Sequence, residues 1–388
     1  MTQTYGTAGF AFPVVLFVLV VLSVGALFFV NGSRDERLAQ TAMKDFTRTF
    51  YATDAGVNDV IARWKGTKWD TLLVNAGDSV DLGWTDLENG SRYHALARRT
   101  DSDPVRRFYS IRVTGTGPKG REGRSVRYLD MVKVPWDLNI ESAVKGGSGS
   151  ERFEADHNAI VSGLDVDPAG WGSTCDGIAL EDKPAAVWPD MNDVEIAGAA
   201  TVTGSPVQVE EDPTQNETNV FQWEDFDFDD LAALATIVFN GDQDFGSGVG
   251  PRVTGGVCDT SFKRNWGAPL DPDSPCFNYF PIILIKNGGV RIRDHSGSGQ
   301  GILLVDEPGS MAVRFEDDFQ WFGIIIAKGE VRFEEDSQIH GAIINADRAR
   351  FERDSFTQYS GCAVERAVLG SGLYELQPMM IRAQRSAL

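Results

Sequence analysis

The chain has 388 residues, of which 42% are hydrophobic and 24% charged, a composition typical of globular domains with real cores. Its formal net charge is −20, because 56 acidic residues outnumber 36 lysines and arginines. That balance argues against nucleic acid or anionic lipid as a general partner and favours solubility outside a bilayer.

The first predicted element is an uncharged apolar run near the amino terminus. Phe10 to Val30 gives 21 residues without a charge, enough to cross a bilayer as a helix. The preceding stretch MTQTYGTAG carries no lysine or arginine, and the run ends in NGSRDER without a small-x-small site. A cleavable secretory signal peptide therefore fits poorly, and residues 10–30 are predicted as a transmembrane helix.

Helical patterning continues past the end of this run. Apolar positions recur in steps of three or four, which places them on one helix face. They are Leu38, Ala42, Phe46, Phe50, Thr53, Val57, Ile61 and Trp64. Gly66 then serves as a C-terminal cap. The sequence predicts one long helix from Phe10 to Trp64, with residues 31–66 forming its amphipathic continuation.

Two stretches of this helix carry a resemblance to a known family. The sequence AGF before the apolar run, with FYATDAG at Phe50–Gly56, resembles the class III prepilin signal and helix of type IV pilins and type II secretion pseudopilins. The run GFAFPVVLFVLVVLSV together with FYATDAGVNDVIARW further resembles the PilX-type minor pilins. The resemblance implies that a prepilin peptidase cuts between Gly9 and Phe10, leaving residues 1–9 as the leader. It also implies a single-pass inner-membrane protein, with a periplasmic or extracellular globular part, whose helix contacts other pilins.

The chain departs from the family at Val14, where major pilins carry glutamate at the fifth residue after the cut. A carboxylate in lipid is costly and needs a partner, which in a filament is the neighbouring amino terminus. Its absence suggests a tip or initiating subunit. The leader also lacks its usual basic residue, which weakens the signal for orientation. The alternative is a simple single-span anchor in which Gly9 and Phe10 are coincidental.

A small antiparallel sheet is predicted next, within a pilin-like domain at residues 67–135. Residues 67–90 are predicted as a turn-rich connection that has room for a short helix, and three alternating runs follow, SRYHALARR, RFYSIRVTGTG and RSVRYLDMVKV. One face of this sheet is expected to pack on the helical stripe. The basic residues are predicted on a solvated strand face, with a subunit contact as the alternative. They are Arg98, Arg99, Arg106, Arg107, Arg121, Arg124 and Arg127.

The carboxyl-terminal half repeats itself. RFEDDF, RFEEDS and RFERDS begin 18 residues apart, and the runs GIII and GAII recur in step. This period predicts a parallel β-helix over residues 136–365, with an insertion at about 210–275 and a tail at 366–388. The predicted fold class is therefore α+β: a long pilin-type helix, a small antiparallel sheet, and a β-helix with a helical and loop insertion.

The repeats predict a ladder of stacked side chains. Alternation turns Phe315, Phe333 and Phe351 inward. Two columns turn outward: Arg314, Arg332 and Arg350, and beside them Glu316, Glu334 and Glu352. Rungs lie about 4.8 Å apart, so a glutamate column alone would repel itself, and the arginine column offsets this. Each exposed pair contributes at most about 1 kcal/mol, so the ladder is interpreted as structural.

Smaller elements complete the prediction. Val194–Val209 is expected to form another β-helical turn, and Phe226–Gly241 a helix with Asp229 and Asp230 in its first turn. The stretch CAVERAVLG is expected to form a short helix over the open edge of the solenoid.

The four cysteines are Cys175, Cys258, Cys276 and Cys362. They make no C-x-x-C pair, so a zinc site is not expected. All lie beyond the apolar segment, and export would favour two disulfides, with three connectivities open. Free buried thiols are the alternative.

A catalytic site is not predicted. β-Helices host sugar lyases and hydrolases that use close carboxylate pairs, and Asp317, Asp318, Glu335 and Asp336 are candidates. They lie within a repeating ladder, however, which is typical of an unspecialised wall. The histidines His94, His157, His295 and His340 have no metal-binding spacing. No cofactor or metal is expected; Ca²⁺ would be the cation for the acidic loops DPDSP and DVDP, neither of which matches an EF-hand.

These observations lead to three hypotheses about function. The first is a minor pilin or pseudopilin-like structural subunit of a type IV pilus or type II secretion assembly, at or near the filament tip. The second is a membrane-anchored, adhesin-like surface protein whose β-helix binds glycan or a partner. The third is a carbohydrate lyase or hydrolase. No nucleic-acid partner is expected.

Overall fold

The computed structural model describes residues 11–67, 72–73, 75–101, 107–117, 124–147, 152–223, 226–309 and 311–385. The chain divides into two compact units. The first contains the amino-terminal helix and an antiparallel sheet, and it includes the chain again from Pro378 onward. The second is a β-solenoid between Lys133 and Gln377. The predicted fold class is confirmed: long helix, small antiparallel sheet and parallel β-helix.

One helix, α1 (Ala11–Thr67), runs through 57 residues without a break. At 1.5 Å per residue it is about 85 Å long. Its hydroxyl side chains do not interrupt it, because they bond within the helix. The hydroxyl of Ser23 donates to the carbonyl of Leu19, and that of Thr53 donates to the carbonyl of Thr49.

The sheet of the first unit has five strands in the order β1-β2-β3-β4-β27. Their bounds are β1 (Ser79–Asp86), β2 (Arg92–Arg99), β3 (Phe108–Thr116), β4 (Arg124–Pro135) and β27 (Tyr374–Arg385). Strands β1 to β4 pair antiparallel, each with the next. Strand β1 lies in the segment predicted as a turn-rich connection with room for a short helix, and β27 lies in the segment interpreted as a tail.

Alternation along β2 and β3 buries one face of this sheet. Tyr93, Ala95, Tyr109 and Val113 are at most 2% exposed, and they lie on the side that contacts α1. Arg99 shares this side and is 1% exposed, so its predicted place on a solvated face is wrong. Every second residue of β2 turns inward, and the position of Arg99 falls in that register. Its guanidinium donates to the carbonyl of residue 73 and lies 3.8 Å from the carboxylate of residue 101.

The solenoid is built from two parallel sheets. Among the described residues the longer has eleven strands: β5 (Val144–Gly146), β7 (Ile160–Ser162), β8 (Ala186–Trp188), β10 (Thr201–Thr203), β11 (Val209–Glu211), β14 (Ile237–Asn240), β18 (Ile282–Lys286), β20 (Ser298–Asp306), β22 (Gln320–Ala327), β24 (Gln338–Asn345) and β26 (Phe356–Gln358). The shorter has seven: β6 (Phe153–Ala155), β9 (Val194–Ile196), β15 (Gln243–Phe245), β19 (Val290–Arg293), β21 (Met311–Glu316), β23 (Glu330–Phe333) and β25 (Ala349–Phe351).

Shorter elements connect or cover the rungs. They are β12 (Gln222–Trp223), β13 (Phe226–Asp227), β16 (Val253–Thr254), β17 (Val257–Cys258), α2 (Phe228–Ala233), α3 (Gly361–Gly370), and 3₁₀ turns at Gly172–Cys175, Met191–Asp193 and Asn219–Phe221. Strands β12 and β13 form one antiparallel pair, and β16 and β17 form another.

The rungs do not stack in chain order. The chain enters the stack in its middle at β5 and winds through β8 to one end at β11. It then crosses to the opposite end and winds back from β14 through β18, β20 and β22 to β24. There β24, β25 and β26 pair in parallel with β5, β6 and β7, which form the first rung in chain order. We call this junction of β24–β26 with β5–β7 the seam.

Each long rung bends at a glycine. Gly301, Gly323 and Gly341 stack in register within β20, β22 and β24, and their φ angles of 110°, 130° and 144° favour glycine. A Cβ on Gly341 would lie 1.9 Å from the carbonyl oxygen of Gly323. The bend therefore needs glycine both for its backbone angle and for the close approach of the preceding rung.

Two apolar layers stabilise the solenoid. Its interior holds the inward side chains of both sheets, among them Phe315, Ile325 and Trp188. A second layer, including Ile324 and Phe322, lies outside the long sheet beneath α3 and the connecting segments. Helix α3 covers this outer face through contacts with β20, β22 and β24. The prediction that this helix lies over the open edge is wrong, because alternation gives the sheet an outer apolar face to bury.

The helix predicted at Phe226–Gly241 is wrong over its second half. Helix α2 ends at Ala233; Asp227 caps it, accepting from the backbone N–H groups of Asp229 and Asp230. Residues 237–240 instead form strand β14, paired in parallel with β18. β-Branched and aromatic residues at 237–239 favour a strand once a neighbouring rung is available. The Val194–Val209 segment contains β9 and β10 and reaches β11, as expected of β-helical structure.

Candidate functional site

The first half of α1 is an uncovered apolar surface. From Val14 onward the helix contains a stretch with mean hydropathy 2.8, and none of that stretch is buried within the chain. Phe28 and Phe29 are 76% and 82% exposed. By length and composition this segment can cross a membrane.

The carboxyl-terminal half of α1 packs on the sheet of the first unit. Val57, Val60 and Trp64 are buried, and the Trp64 ring lies 4.9 Å from that of Tyr109. Gly56 makes the close approach, because a Cβ there would lie 2.6 Å from the Tyr93 ring. The helix therefore cannot move closer or rotate without clashing with the strands.

Charged side chains also hold α1 against this sheet. Arg127 of β4 was predicted on a solvated face, but it lies on the α1 side: it pairs with Asp54 and lies 4.5 Å above the ring of Phe50. Asp59 accepts hydrogen bonds from Arg63 and from the hydroxyl of Tyr93. Burial, and to a smaller extent the Asp59 carboxylate, raise the pKa of Tyr93. The phenol therefore stays protonated and acts as a hydrogen-bond donor.

The predicted apolar stripe has two environments. Thr53, Val57 and Trp64 pack on the sheet. Leu38 and Phe46, nearer the apolar half, are 60% and 51% exposed. An apolar face that the chain's own fold leaves open is a surface for contact with other molecules.

The processing site falls at the start of this helix. Gly9 and Phe10 lie outside the described residues, so the predicted cleavage remains a prediction. Val14, which stands where major pilins carry glutamate, lies on the apolar half of α1 and is 50% exposed.

Both pairs of cysteines form disulfides. Cys258–Cys276 closes a stretch 18 residues long, while Cys175–Cys362 joins residues 187 apart in sequence. The second bond links α3, which follows β26, to the 3₁₀ turn that follows β7. It therefore joins the two chain segments that meet at the seam. The Asp167 carboxylate lies within 4.8 Å of both sulfurs of this bond, but bonded sulfurs offer no thiolate to a metal.

The predicted ladder is present as stacked columns. Phe315, Phe333, Phe351 and Phe153 form a column with successive ring centroids 5.4, 5.5 and 5.6 Å apart, and of these pairs Phe333 and Phe351 are stacked face to face. Each arginine reaches the glutamate of a neighbouring rung. The pairs are Arg291–Glu316 at 2.9 Å, Arg314–Glu334 at 3.3 Å, Arg332–Glu352 at 2.9 Å and Arg350–Glu154 at 2.6 Å. The ladder thus fixes the register between rungs, including the seam.

The glutamates are less exposed than the sequence predicts. Glu316 and Glu334 are 4% and 0% exposed, although both were expected on a solvated face. The arginine side chains of the neighbouring column cover them, since a guanidinium that bridges two rungs must lie flat across the sheet. Glu334 has three guanidiniums within 4 Å, from Arg314, Arg332 and Arg353.

The candidate acids occupy turns. Asp317, Asp318, Glu335 and Asp336 all have positive φ, and they form the corners between the short and long sheets. Asp318 and Asp336 are exposed, and the Glu335 carboxylate pairs with Arg353 at 2.7 Å. Polar residues with positive φ explain the repeated acidic pairs as turn chemistry.

The histidines and the acidic loops are dispersed. His94 lies on the first unit's sheet, while His157 and His295 lie on solenoid corners. His340 lies between the rings of Phe322 and Phe356, and this burial lowers its pKa to about 4. In the DVDP loop, Asp165 accepts from the N–H groups of residues 181 and 361, so it joins two loops of the solenoid. In the DPDSP loop, Asp271 accepts from the N–H of residue 273.

Comparison with known proteins adds little. No protein-family model and no curated protein matches the chain. Among solved structures, the competence-associated pilin ComZ from Thermus thermophilus is similar over 88% of this chain and 98% of its own, with 9% identity and a TM-score of 0.26. A likeness of this degree carries no argument about fold or function.

Proposed function

We propose that this chain is a type IV pilin-like structural subunit, of the minor pilin or pseudopilin kind, carrying a β-solenoid head. The supporting observation is α1: an uncovered apolar half that can enter a membrane, continuous with a half that is seated on an antiparallel sheet. The exposed stripe at Leu38 and Phe46 extends the apolar surface beyond the lipid, where a neighbouring helix would pack.

The proposed mechanism is mechanical. A peptidase removes residues 1–9, the helix waits in the inner membrane, and an assembly machine then draws it into a bundle of similar helices. Val14 leaves no buried carboxylate for a neighbour's amino terminus to neutralise. That supports a place at or near the tip of the filament, and a head of this size would crowd a regular shaft.

We propose a structural and non-catalytic role for the solenoid. Its ladder carboxylates are held by arginines, and the corner acids lie in repeated turns. Ion pairs account for the ladder carboxylates and turn geometry accounts for the corner acids, so neither set requires an acid–base role to explain it.

The amino terminus of the native protein tests the assignment. Mass spectrometry of chain purified from its own membranes should give a mature protein that begins at an N-methylated Phe10. A chain that retains Met1 and the whole leader contradicts the proposal and supports a plain anchor.

A further inference from the structure

The sheet of the first unit has an open face, opposite the side that packs on α1, and that face contains a hollow. Its volume is about 230 Å³. The lining residues are Trp84, His94, Leu96, Arg112, Thr114 and Val126. Four of them form one row across four strands, because Trp84 pairs with His94, His94 with Thr114, and Thr114 with Val126.

An exposed indole forms one wall of the hollow. Trp84 is 50% exposed, and the guanidinium carbon of Arg92 lies 4.4 Å from its ring centroid. The His94 ring is 5.1 Å away and tilted by 38°. Leu96 and Val126 add aliphatic surface, so an apolar wall and floor stand beside polar groups, the usual composition of a small-ligand site.

The imidazole beside the indole is held in position. Asp81 Oδ1 lies 2.7 Å from His94 Nε2 and also accepts the backbone N–H of Gly83 at 2.8 Å. The hydrogen bond from the Gly83 N–H, and to a smaller extent the contact with His94, lower the pKa of Asp81. The carboxylate therefore remains charged. Gly83 has φ +79° at a β-bulge directly after Asp81.

Two exposed arginines of this face, Arg92 and Arg112, have no carboxylate partner among the residues that the structure describes. The arginines of the solenoid ladder, in contrast, are paired. The chain as a whole has 20 more acids than bases. Arg112 lines the hollow, and Arg92 lies over the Trp84 ring at its edge. A guanidinium without an ion pair in an apolar hollow favours an anionic ligand with a flat apolar side.

We propose that this hollow binds an acidic sugar residue of the uronate kind. The C–H face of the ring would lie against Trp84 and Leu96, and the carboxylate would pair with Arg112. His94 and Thr114 are positioned for ring hydroxyls. An acidic peptide side chain has no comparably wide apolar face, and a neutral sugar would leave Arg112 unpaired. The site is separate from the solenoid and goes beyond the proposed assembly role.

The probe is glucuronate, with glucose as the matched neutral sugar. Full-length protein in detergent micelles is examined by saturation-transfer difference NMR at millimolar sugar. We expect transfer to the ring protons of glucuronate, at least roughly tenfold weaker binding of glucose, and weaker glucuronate binding as salt is raised. Equal binding of the two sugars, or no transfer to glucuronate, overturns the proposal.

Variants locate the site. Arg112→Gln and Trp84→Ala should each reduce glucuronate binding roughly tenfold or more. Arg98→Gln is the matched control, because Arg98 is an exposed arginine on the same strand face but does not line the hollow. Thermal unfolding checks that each variant is folded. An equal loss from Arg98→Gln overturns the proposal, as does a tighter, salt-sensitive interaction with an aspartate-rich peptide. Processing at Phe10 is independent of both results.

Discussion

Glu334 shows how a repeat changes the meaning of a single residue. Read alone, a glutamate on the outward side of a strand is solvated. Repeated every 18 residues beside arginine, it becomes a buried bridge between three guanidiniums. The sequence supports the column and its partners, but the burial depends on how arginine side chains lie across neighbouring rungs.

His340 makes the stability of the solenoid depend on pH. Its pKa is lowered from 6.5 to about 4 by burial, so the folded chain holds it neutral where the unfolded chain would protonate it. Its contribution is complete above pH 6.5 and is lost as the pH falls toward 4. Between pH 7 and pH 5 this amounts to about 2 kcal/mol. The free energy of unfolding of His340→Gln, measured by denaturant titration at both pH values, should fall less than that of wild type by that amount. An identical fall in both proteins contradicts the prediction.

At the scale of the element, the glycine bends decide whether a rung can form. Gly341→Ala places a Cβ against the backbone of the preceding rung and strains φ, so we expect a loss of roughly 3 kcal/mol or more. Gly246→Ala is the control, because its Cβ would meet nothing within 4 Å. Thermal unfolding distinguishes them, and similar midpoints for both variants would show that the bend tolerates a side chain.

A substitution at Phe46 of α1 can test the proposed assembly role separately from the folding of the chain. Phe46→Asp alters an exposed position, so the head should keep its stability within about 0.5 kcal/mol. Incorporation into sheared filaments, followed by immunoblot, should be lost, because a charge would enter the packing between helices. Phe46→Leu is the matched control and should assemble. Normal incorporation of Phe46→Asp would mean that this face does not pack on another helix.

Elements were predictable where their pattern was local. The helix α1, strands β2 to β4 and the rungs from β21 to β25 follow from apolar periodicity and from the 18-residue spacing. The helix prediction failed at β14, because Ile237–Asn240 becomes a strand only through its partner Ile283–Lys286. Strand β1 was missed because its short run is broken by Gly83, which marks a bulge.

At the scale of the whole molecule, the winding order was beyond prediction. The rungs of the first half are separated by irregular connections, and Glu154 and Glu195 replace the arginine in the repeat at the matching positions. The spacing there gives no period, so nothing local indicates that β5 will pair with β24. The hollow at Trp84 is equally non-local, since its walls come from four strands.

The two disulfides should differ in what they stabilise. Cys175–Cys362 joins residues 187 apart and Cys258–Cys276 residues 18 apart. Loop-closure entropy gives about 5 kcal/mol for the first and about 3 kcal/mol for the second. The double variant Cys175→Ala/Cys362→Ala should therefore unfold at lower denaturant than Cys258→Ala/Cys276→Ala. The reverse order would show that the seam holds without its covalent clamp.

Where the chain enters the solenoid it runs beside the place where it leaves, since the Trp136 N–H donates to the carbonyl of Leu373 at 3.1 Å. Strands β4 and β27, which continue from these two points, are neighbours in the antiparallel sheet. A protease that nicks any connection between rungs would thus produce two fragments that still share one sheet. After a cut anywhere between Cys175 and Cys362, the two fragments would also stay joined by that disulfide, so the solenoid would keep its partners on both sides of the cut.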